Sequence, residues 1–203
     1  MVEPGRGQRT GARALARRAM RAQVSEMAFE LFIDRGYEET TIDDICAVAE
    51  ISRSTFFRYF PSKEDVLLDE IAVIGEQLLE ALTERPDDES PWLALRRAAT
   101  PLVSHHDTDP ERRLKLIRLV TTTPVLIAHR HQKTASWQKL LRPEVARRLG
   151  VDPHDLTDPR PTTLIAAMLG CLDAATEAWA AGDGAAPFAA VLDRAMDSID
   201  PAP

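Results

Sequence analysis

The stretch that decides the fold reads TIDDICAVAEISRSTFFRYFPSKED and runs from Thr41 to Asp65. Its first residue and Asp44 have the spacing of a capping box, which predicts the start of a short helix. Ser52 can cap a second short helix. Pro61 ends that helix, because the residue before a proline is pushed out of the α region. Two short helices joined by so tight a turn predict a helix-turn-helix.

Helical periodicity continues on both sides of this motif. A preceding helix is predicted by apolar residues at i, i+3, i+4, i+7 and i+8, namely Val24, Met27, Ala28, Leu31 and Phe32. Downstream, Pro124 and Pro143 are expected to interrupt the helical pattern, and Gly150 to end it. No segment shows the alternation of a strand. We therefore expect an all-α protein, with an N-terminal three-helix helix-turn-helix domain and a larger C-terminal helical domain.

The cations of the chain are localised, although its net charge is −7. Residues 1–21 hold six arginines against Glu3, and Arg53 and Arg58 stand in a segment without acids. Acidic residues dominate between these two segments. A basic arm and one basic helix predict a localised contact with a polyanion. For the arm, a disordered segment without a partner is the alternative.

The second helix of the motif divides its side chains between two faces. Phe56 and Phe60 share one face and are expected to pack inward. The outward face carries Arg53, Ser54, Phe57 and Arg58, flanked by Thr55 and Tyr59. Such a helix fits the DNA major groove, where an arginine can pair with guanine O6 and N7. Thr41 and Tyr59 are placed to reach phosphates on either side.

Lys63 stands at the expected start of the next helix. A cation there opposes the helix macrodipole, at a cost of roughly 0.3–1 kcal/mol when exposed. A bound phosphate would reverse the sign, because free N–H groups and an ammonium then converge on one anion. The position predicts a phosphate clamp, and an ordinary surface lysine is the alternative.

The segment from Ala28 to Ile71 closely resembles the N-terminal domain of the TetR (tetracycline-repressor) family of transcription regulators. The resemblance is carried by the Gly-Tyr and Thr-Thr pairs, by Ser-x-x-Thr at the recognition helix and by Phe-x-Ser-Lys-Glu before the fourth helix. It implies that the DNA-facing places are occupied by Thr41, Arg53, Ser54, Thr55, Phe57, Arg58, Tyr59 and Lys63.

Two residues depart from the family pattern. Phe57 stands where the family usually has a tyrosine whose hydroxyl meets a phosphate. We expect Phe57 to make van der Waals contact with a sugar or a thymine methyl group instead. Glu50 replaces a common glycine in the turn, which predicts a slightly different backbone there.

The resemblance implies a C-terminal domain for ligand binding and dimerisation. The segment 161–181 is apolar nearly all round, so it needs cover on two sides. A second subunit is expected to supply one side, through a four-helix bundle completed by the last helix. The expected interface residues are Leu164, Leu172, Trp179, Phe188, Leu192 and Met196. A central core helix of a monomer is the alternative.

The segment from Leu114 to Trp179 also resembles the C-terminal domain of a subgroup that includes mycofactocin-type regulators. Some members of this subgroup respond to acyl-CoA-like ligands, so the resemblance implies a small apolar or acyl-CoA-like effector. The expected pocket residues are Leu116, Val120, Leu126, Ile127, Trp137 and Met168, each of which is also compatible with a purely structural place in the core.

Motifs of other function classes are missing from the sequence. It has no glycine-rich phosphate loop, nucleophile elbow or His-Glu-x-x-His pair. His129 and His131 are two residues apart on a helix and so point in different directions. His105 and His106 lie near acids and form the remaining metal candidate. We expect no catalytic residue, no metal and no cofactor.

Composition indicates the cellular context. The uninterrupted apolar runs are shorter than a transmembrane helix, and the N-terminus lacks the pattern of a signal peptide. Cys46 and Cys171 lie far apart, which favours reduced thiols over a disulfide framework. We therefore expect a cytoplasmic protein with no membrane partner.

The predicted organisation is a flexible basic arm (1–17), a DNA-binding domain (18–78) with the helix-turn-helix at 41–60, and a ligand-binding and dimerisation domain (79–203). The predicted function is that of a homodimeric regulator, a repressor that binds a pseudo-palindromic operator on double-stranded DNA. A small-molecule effector is expected to release it. The alternative is an all-helical enzyme or interaction scaffold without DNA affinity.

Overall fold

The computed structural model describes the backbone of residues 6–103 and 110–200, and the side chains of 15–68, 73–99 and 110–200. This part of the chain contains nine α-helices and no strand, which confirms the all-α prediction. The helices are α1 (Arg6–Arg35), α2 (Ile42–Val48), α3 (Arg53–Tyr59), α4 (Asp65–Thr83), α5 (Pro91–Val103), α6 (Pro110–Thr122), α7 (Pro124–Leu149), α8 (Arg160–Ala181) and α9 (Phe188–Asp197).

The chain divides into two units, Met1–Asp69 and Glu70–Pro203. The division falls inside α4, earlier than the boundary after residue 78 that the sequence predicts. The arm also differs from its prediction, because α1 already begins at Arg6. Alanine and arginine dominate this segment, and both have high helix propensity.

In the first unit, the capping residues act as predicted. The Thr41 hydroxyl accepts from the backbone N–H of Asp44, and the Asp44 carboxylate accepts from Thr41 in return. These hydrogen bonds lower the pKa of the Asp44 carboxyl. The Ser52 hydroxyl accepts from the Thr55 backbone N–H at 3.1 Å and begins α3. Both ends of the helix-turn-helix are thereby fixed by local hydrogen bonds.

A cross-tie joins the turn before α2 to the turn before α4. The Lys63 ammonium donates to the carbonyl oxygens of Tyr37, at 2.8 Å, and Thr40, at 3.0 Å. It also lies 4.0 Å from the centre of the Tyr37 ring. The Tyr37 hydroxyl donates to Glu64 Oε1 at 2.6 Å. We call Tyr37, Thr40, Lys63 and Glu64 the Tyr37 cluster.

The Tyr37 cluster is held from below by a buried threonine and a cap. The Thr40 hydroxyl donates to the carbonyl of Gly36 at 2.8 Å, and Gly36 ends α1 with a φ of 91° that favours glycine. Tyr37 is buried, and burial together with the bond to Glu64 raises the pKa of its hydroxyl above the ordinary value. The phenol therefore stays protonated and keeps donating to Glu64.

The turn between α2 and α3 contains an unusual backbone conformation. Glu50 has a φ of 53°, in the left-handed region that a glycine would favour. The sequence predicts a shifted backbone at this position, but the glutamate adopts the glycine-like conformation. A residue with a Cβ pays roughly 1–2 kcal/mol for that conformation.

The second unit is built on one apolar core. Helix α8 packs against α7 and α9, and it contributes Ile165, Met168, Cys171, Ala175 and Trp179 to the core. By length and composition α8 is able to cross a membrane, a test that the core helix of a soluble protein also passes. The sequence analysis, which counted uninterrupted apolar runs, misses this property.

Helix α7 differs from its prediction at one proline. Pro124 begins the helix and Gly150 ends it at a φ of 67°, as expected, but Pro143 lies inside the continuous helix. The cost of the missing backbone donor is tolerated because Leu141 and Val145, on either side of it, are fully buried in the core.

The residues expected at a subunit interface also need a correction. Trp179, Phe188, Leu192 and Met196 are buried in the core of their own chain. Leu164 and Leu172 are half-buried and pack against that core. Helical periodicity alone does not separate core residues from interface residues, since both are apolar. A contact between subunits has to use other residues of α8 and α9.

We predict that Lys63→Met lowers the free energy of unfolding by about 1–3 kcal/mol, because the Tyr37 cluster loses its cation and two charge-assisted hydrogen bonds. Lys139→Met, at an exposed lysine of α7, is the control and should change stability by less than about 0.5 kcal/mol. Denaturant unfolding measures both. Equal stability of the two variants would contradict the role of the cluster.

A second prediction concerns the left-handed turn. Glu50→Gly should raise the free energy of unfolding by about 1 kcal/mol, since glycine adopts this φ without strain. The neighbouring Ala49 has a φ of −80°, so Ala49→Gly should instead lower stability by about 0.5–1 kcal/mol. The opposite signs, measured in the same denaturant titration, are the decisive result.

Candidate nucleic-acid interface and cavity

Helix α3 presents a mixed cationic, polar and aromatic face to solvent. Phe56 and Phe60 are fully buried beneath it, as predicted, with ring centres 5.5 Å apart. The predicted DNA-facing residues Thr41, Arg53, Ser54, Phe57 and Arg58 are exposed, and Thr55, Tyr59 and Lys63 are half-buried. Two buried rings therefore fix the orientation of the helix, and the remaining side chains form its outer surface.

Arg53 occupies the first residue of α3 and is exposed over 58% of its side chain. Its guanidinium donates to Asp43 Oδ1 at 2.7 Å, across the turn from α2. Asp43 is also largely exposed, so the ion pair is open to water and to competing anions. An incoming phosphate or base can therefore replace Asp43 at little cost.

Phe57 and Arg58 follow on the same surface. The Phe57 side chain is 47% exposed, although its ring meets that of Phe56 edge-on. An exposed aromatic ring next to cations is typical of a surface that is covered by a partner. The Arg58 guanidinium lies 5.2 Å from the centre of the Tyr59 ring, which leaves its fork of donors at the surface.

The basic surface extends onto α1. The Arg17 guanidinium lies 5.9 Å from the Tyr59 ring, and the Arg21 guanidinium 5.4 Å from the Phe60 ring. The sequence analysis treats Arg17 as part of a basic arm and does not connect it to α3. Its four-residue spacing from Arg21 was the available signal, because residues so spaced share one helix face.

Lys63 has a different environment from the one expected. Helix α4 begins at Asp65, so Lys63 lies in the preceding turn and not in the first helical turn. Ser62 caps this start by accepting from the Asp65 backbone N–H at 3.3 Å. Two donors of the Lys63 ammonium are engaged in the Tyr37 cluster, and an ammonium has three. Lys63 thus stabilises the unit first and has one donor left for a ligand.

The hydroxyl groups of this surface are already organised. Ser52 Oγ lies 2.9 Å from Ser54 Oγ and 3.0 Å from Thr55 Oγ1. The Thr41 hydroxyl donates to Asp44 Oδ2 at 2.5 Å. These groups offer short, fixed hydrogen-bonding positions on both sides of the two arginines. Together with the cations they suit a polyanion that also carries hydrogen-bonding edges, which describes the DNA major groove.

The second unit contains a cavity of about 160 Å³. It is lined mainly by apolar side chains from α4 to α9, together with a few polar ones. Of the six pocket residues expected from the sequence, only Trp137 lines it. Leu126 and Met168 are fully buried in the core, Val120 is buried, and Leu116 and Ile127 are half-buried outside this lining.

The polar groups of the cavity escaped the sequence analysis. Arg113, Arg130, Thr134, Asp173 and Thr176 all line it. The available signal was a charged residue on the apolar side of a core helix, as Arg130 is on α7 and Asp173 on α8. Periodicity weighs apolar positions only, so it selects core residues and passes over such charges.

The metal candidates divide between described and undescribed residues. Where side chains are described, no group of three or more His, Cys, Asp or Glu residues has metal-binding geometry. His105 and His106 lie outside the described residues. Cys46 and Cys171 are free and buried, and burial raises the pKa of both thiols.

Comparison with known proteins gives matches to both halves of the chain. The family profile "Bacterial regulatory proteins, tetR family" matches residues 26–69, and "MftR C-terminal domain" matches residues 89–202. The chain is 32% identical over 199 residues to the HTH-type transcriptional regulator TcmR of Streptomyces glaucescens, covering 94% of this chain and 87% of TcmR.

Two further similarities agree with these matches. The putative mycofactocin biosynthesis transcriptional regulator MftR of Mycobacterium tuberculosis is 32% identical over 157 residues, 77% of each protein. The crystal structure of Thermus thermophilus FadR with lauroyl-CoA superposes with a TM-score of 0.55 at 24% identity, covering 89% of this chain and 94% of FadR. The matched families and relatives are regulators and not enzymes. The chain therefore belongs to the TetR family, as a DNA-binding transcriptional regulator with a helix-turn-helix and an MftR-type C-terminal domain.

Proposed function

We propose that the protein is a cytoplasmic, homodimeric repressor that binds a pseudo-palindromic operator and is released by a small molecule. The observation that carries this proposal is the outer face of α3, where exposed arginines and hydroxyls surround an exposed ring above two buried ones. Each subunit inserts α3 into one of two successive major grooves.

The docking assigns a role to each surface residue. Arg53 stands at the N-terminal end of α3, the end that meets base edges in helix-turn-helix proteins, and pairs there with a guanine. Arg58, Tyr59, Thr41 and the third donor of Lys63 contact phosphates. Ser54 and Thr55 add hydrogen bonds at the groove edge, and Phe57 packs on a sugar or a thymine methyl group.

The exposed side of α8 supports the dimer. Ala166, Gly170, Ala174 and Ala178 are spaced four residues apart and are all exposed. A side chain at Gly170 would meet nothing within 4 Å in its own chain. Small residues at this spacing allow two helices to approach closely, which fits the intersubunit bundle better than the core residues named from the sequence.

The cavity of the second unit is the proposed effector site. Its lining is mainly apolar, which suits an apolar or acyl-CoA-like molecule. The MftR-type C-terminal domain and the lauroyl-CoA bound to Thermus thermophilus FadR support this ligand class. Ile74 and Leu78 of α4 line the cavity, so an occupant acts on the helix that continues into the DNA-binding unit. A change in α4 alters the spacing of the two recognition helices and weakens operator binding.

We predict different effects for the two arginines of α3. Arg53→Ala should cost about 1–3 kcal/mol of operator binding and relax sequence specificity, because it removes a base contact. Arg58→Ala should weaken all DNA sequences alike and reduce the salt slope by about one, because it removes a phosphate contact. Fluorescence anisotropy with DNA from upstream of the protein's own gene, at several salt concentrations, measures both quantities.

A matched control uses the same ion pair from the other side. Asp43→Asn removes the partner of Arg53 without touching the arginine, so operator affinity should rise by about two- to fivefold, the value of an exposed pair. Lys139→Met should leave it unchanged. Unaltered binding in both arginine variants would rule out this docking, and absence of any DNA binding by the folded wild type would favour an interaction scaffold.

A further inference from the structure

A charged side chain is buried in the wall of the apolar cavity. Arg130 is more than nine-tenths buried, yet it lines the cavity together with Ile74, Leu78 and Leu169. Burying a guanidinium in an apolar wall is costly unless its donors are used. The structure therefore raises the question of which acceptors satisfy them.

One partner of Arg130 is present in the same unit. Its Nη1 donates to Asp173 Oδ1 at 2.6 Å, which ties α7 to α8. Its Nε is buried and has no hydrogen-bond acceptor among the described residues. A buried donor left without an acceptor costs about 1–3 kcal/mol, and more in a charged group. The guanidinium thus has an unused donor at a cavity that can admit an acceptor.

The other polar groups of the cavity leave the positive charge in excess. Arg113 and Arg130 contribute two cationic groups, and Asp173 contributes one carboxylate. The hydroxyls of Thr134 and Thr176 donate to backbone carbonyls of their own helices, at 3.0 and 2.7 Å. The lining is therefore complementary to one negative charge that accepts hydrogen bonds.

The size and walls of the cavity restrict the rest of the occupant. An engineered cavity of about 150 Å³ with an apolar lining binds benzene, and this one measures about 160 Å³. Trp137 forms a flat part of the wall. Its indole is fixed against Gly75 of α4, because a side chain on Gly75 would come within 2.5 Å of Trp137 Nε1. A body the size of one ring fits beside this wall.

We propose that the cavity binds a compact aromatic or cyclic monocarboxylate, with its carboxylate on Arg130 and its ring against Trp137. This inference rests on the proposed function, of which it names the effector class. It separates a small free acid from an acyl-CoA, whose thioester carries no charge at the carbonyl. Through Trp137 and Gly75, the same occupant contacts α4.

Isothermal titration calorimetry at pH 7 tests the proposal with phenylacetate, its uncharged analogue phenylacetamide, and lauroyl-CoA. Phenylacetate should bind at least about tenfold more tightly than phenylacetamide, because a charge-assisted hydrogen bond is lost in the amide. Arg130→Lys should remove this difference, since lysine keeps the charge but not the donor at Nε. The double variant Arg130→Gln/Asp173→Asn, which leaves no unpaired carboxylate, should do the same. Lys139→Met is the control and should retain the wild-type preference.

Each outcome bears on one claim. Equal affinity for acid and amide, binding of lauroyl-CoA alone, or no binding of any probe would overturn the inference. Binding of lauroyl-CoA alone with loss of operator affinity would leave the proposed function standing. Tight, Arg130-dependent binding of phenylacetate without any change in operator affinity would support the inference and contradict the effector role in the proposed function.

Discussion

The DNA-binding unit depends on one ammonium group. Lys63 holds two carbonyls of the turn before α2 and covers the ring of Tyr37, while the adjacent Glu64 accepts from the hydroxyl of the same tyrosine. Helix α3 has only two turns and little cohesion of its own, because short helices are marginal without tertiary contacts. The Tyr37 cluster brings together the segments that precede α2 and follow α3, so it determines how α3 is presented.

This arrangement separates bracing from recognition along a few consecutive residues. Phe56 and Phe60 are buried, Lys63 is mostly used by its own chain, and Arg53 and Arg58 remain at the surface. The arginines are not neutral in waiting, because Asp43 already holds Arg53. Operator binding on our proposal is thus an exchange of carboxylate for nucleic acid, which makes affinity sensitive to acids on α2 as well as to cations on α3.

Local rules predict the first unit well because its decisive interactions join neighbours in sequence. The capping partners of Thr41 and Ser52 lie three residues away, and Phe56 and Phe60 are four apart. Lys63 was misjudged because its partners, Tyr37 and Thr40, are distant in the chain. The same reason applies to the second unit: Arg130 meets Asp173 only after α7 and α8 pack, and Trp179 or Met196 looks like an interface residue until its own chain covers it.

Hydroxyl-radical footprinting of the DNA upstream of the protein's own gene tests the central claim most directly, since it reports where two copies of α3 lie on the duplex. The account predicts two protected segments related by a dyad, with centres about 34–36 Å apart or a multiple of that distance, and enhanced cleavage on the opposite face. A single protected segment, or two without dyad symmetry, bound by folded protein, would contradict it.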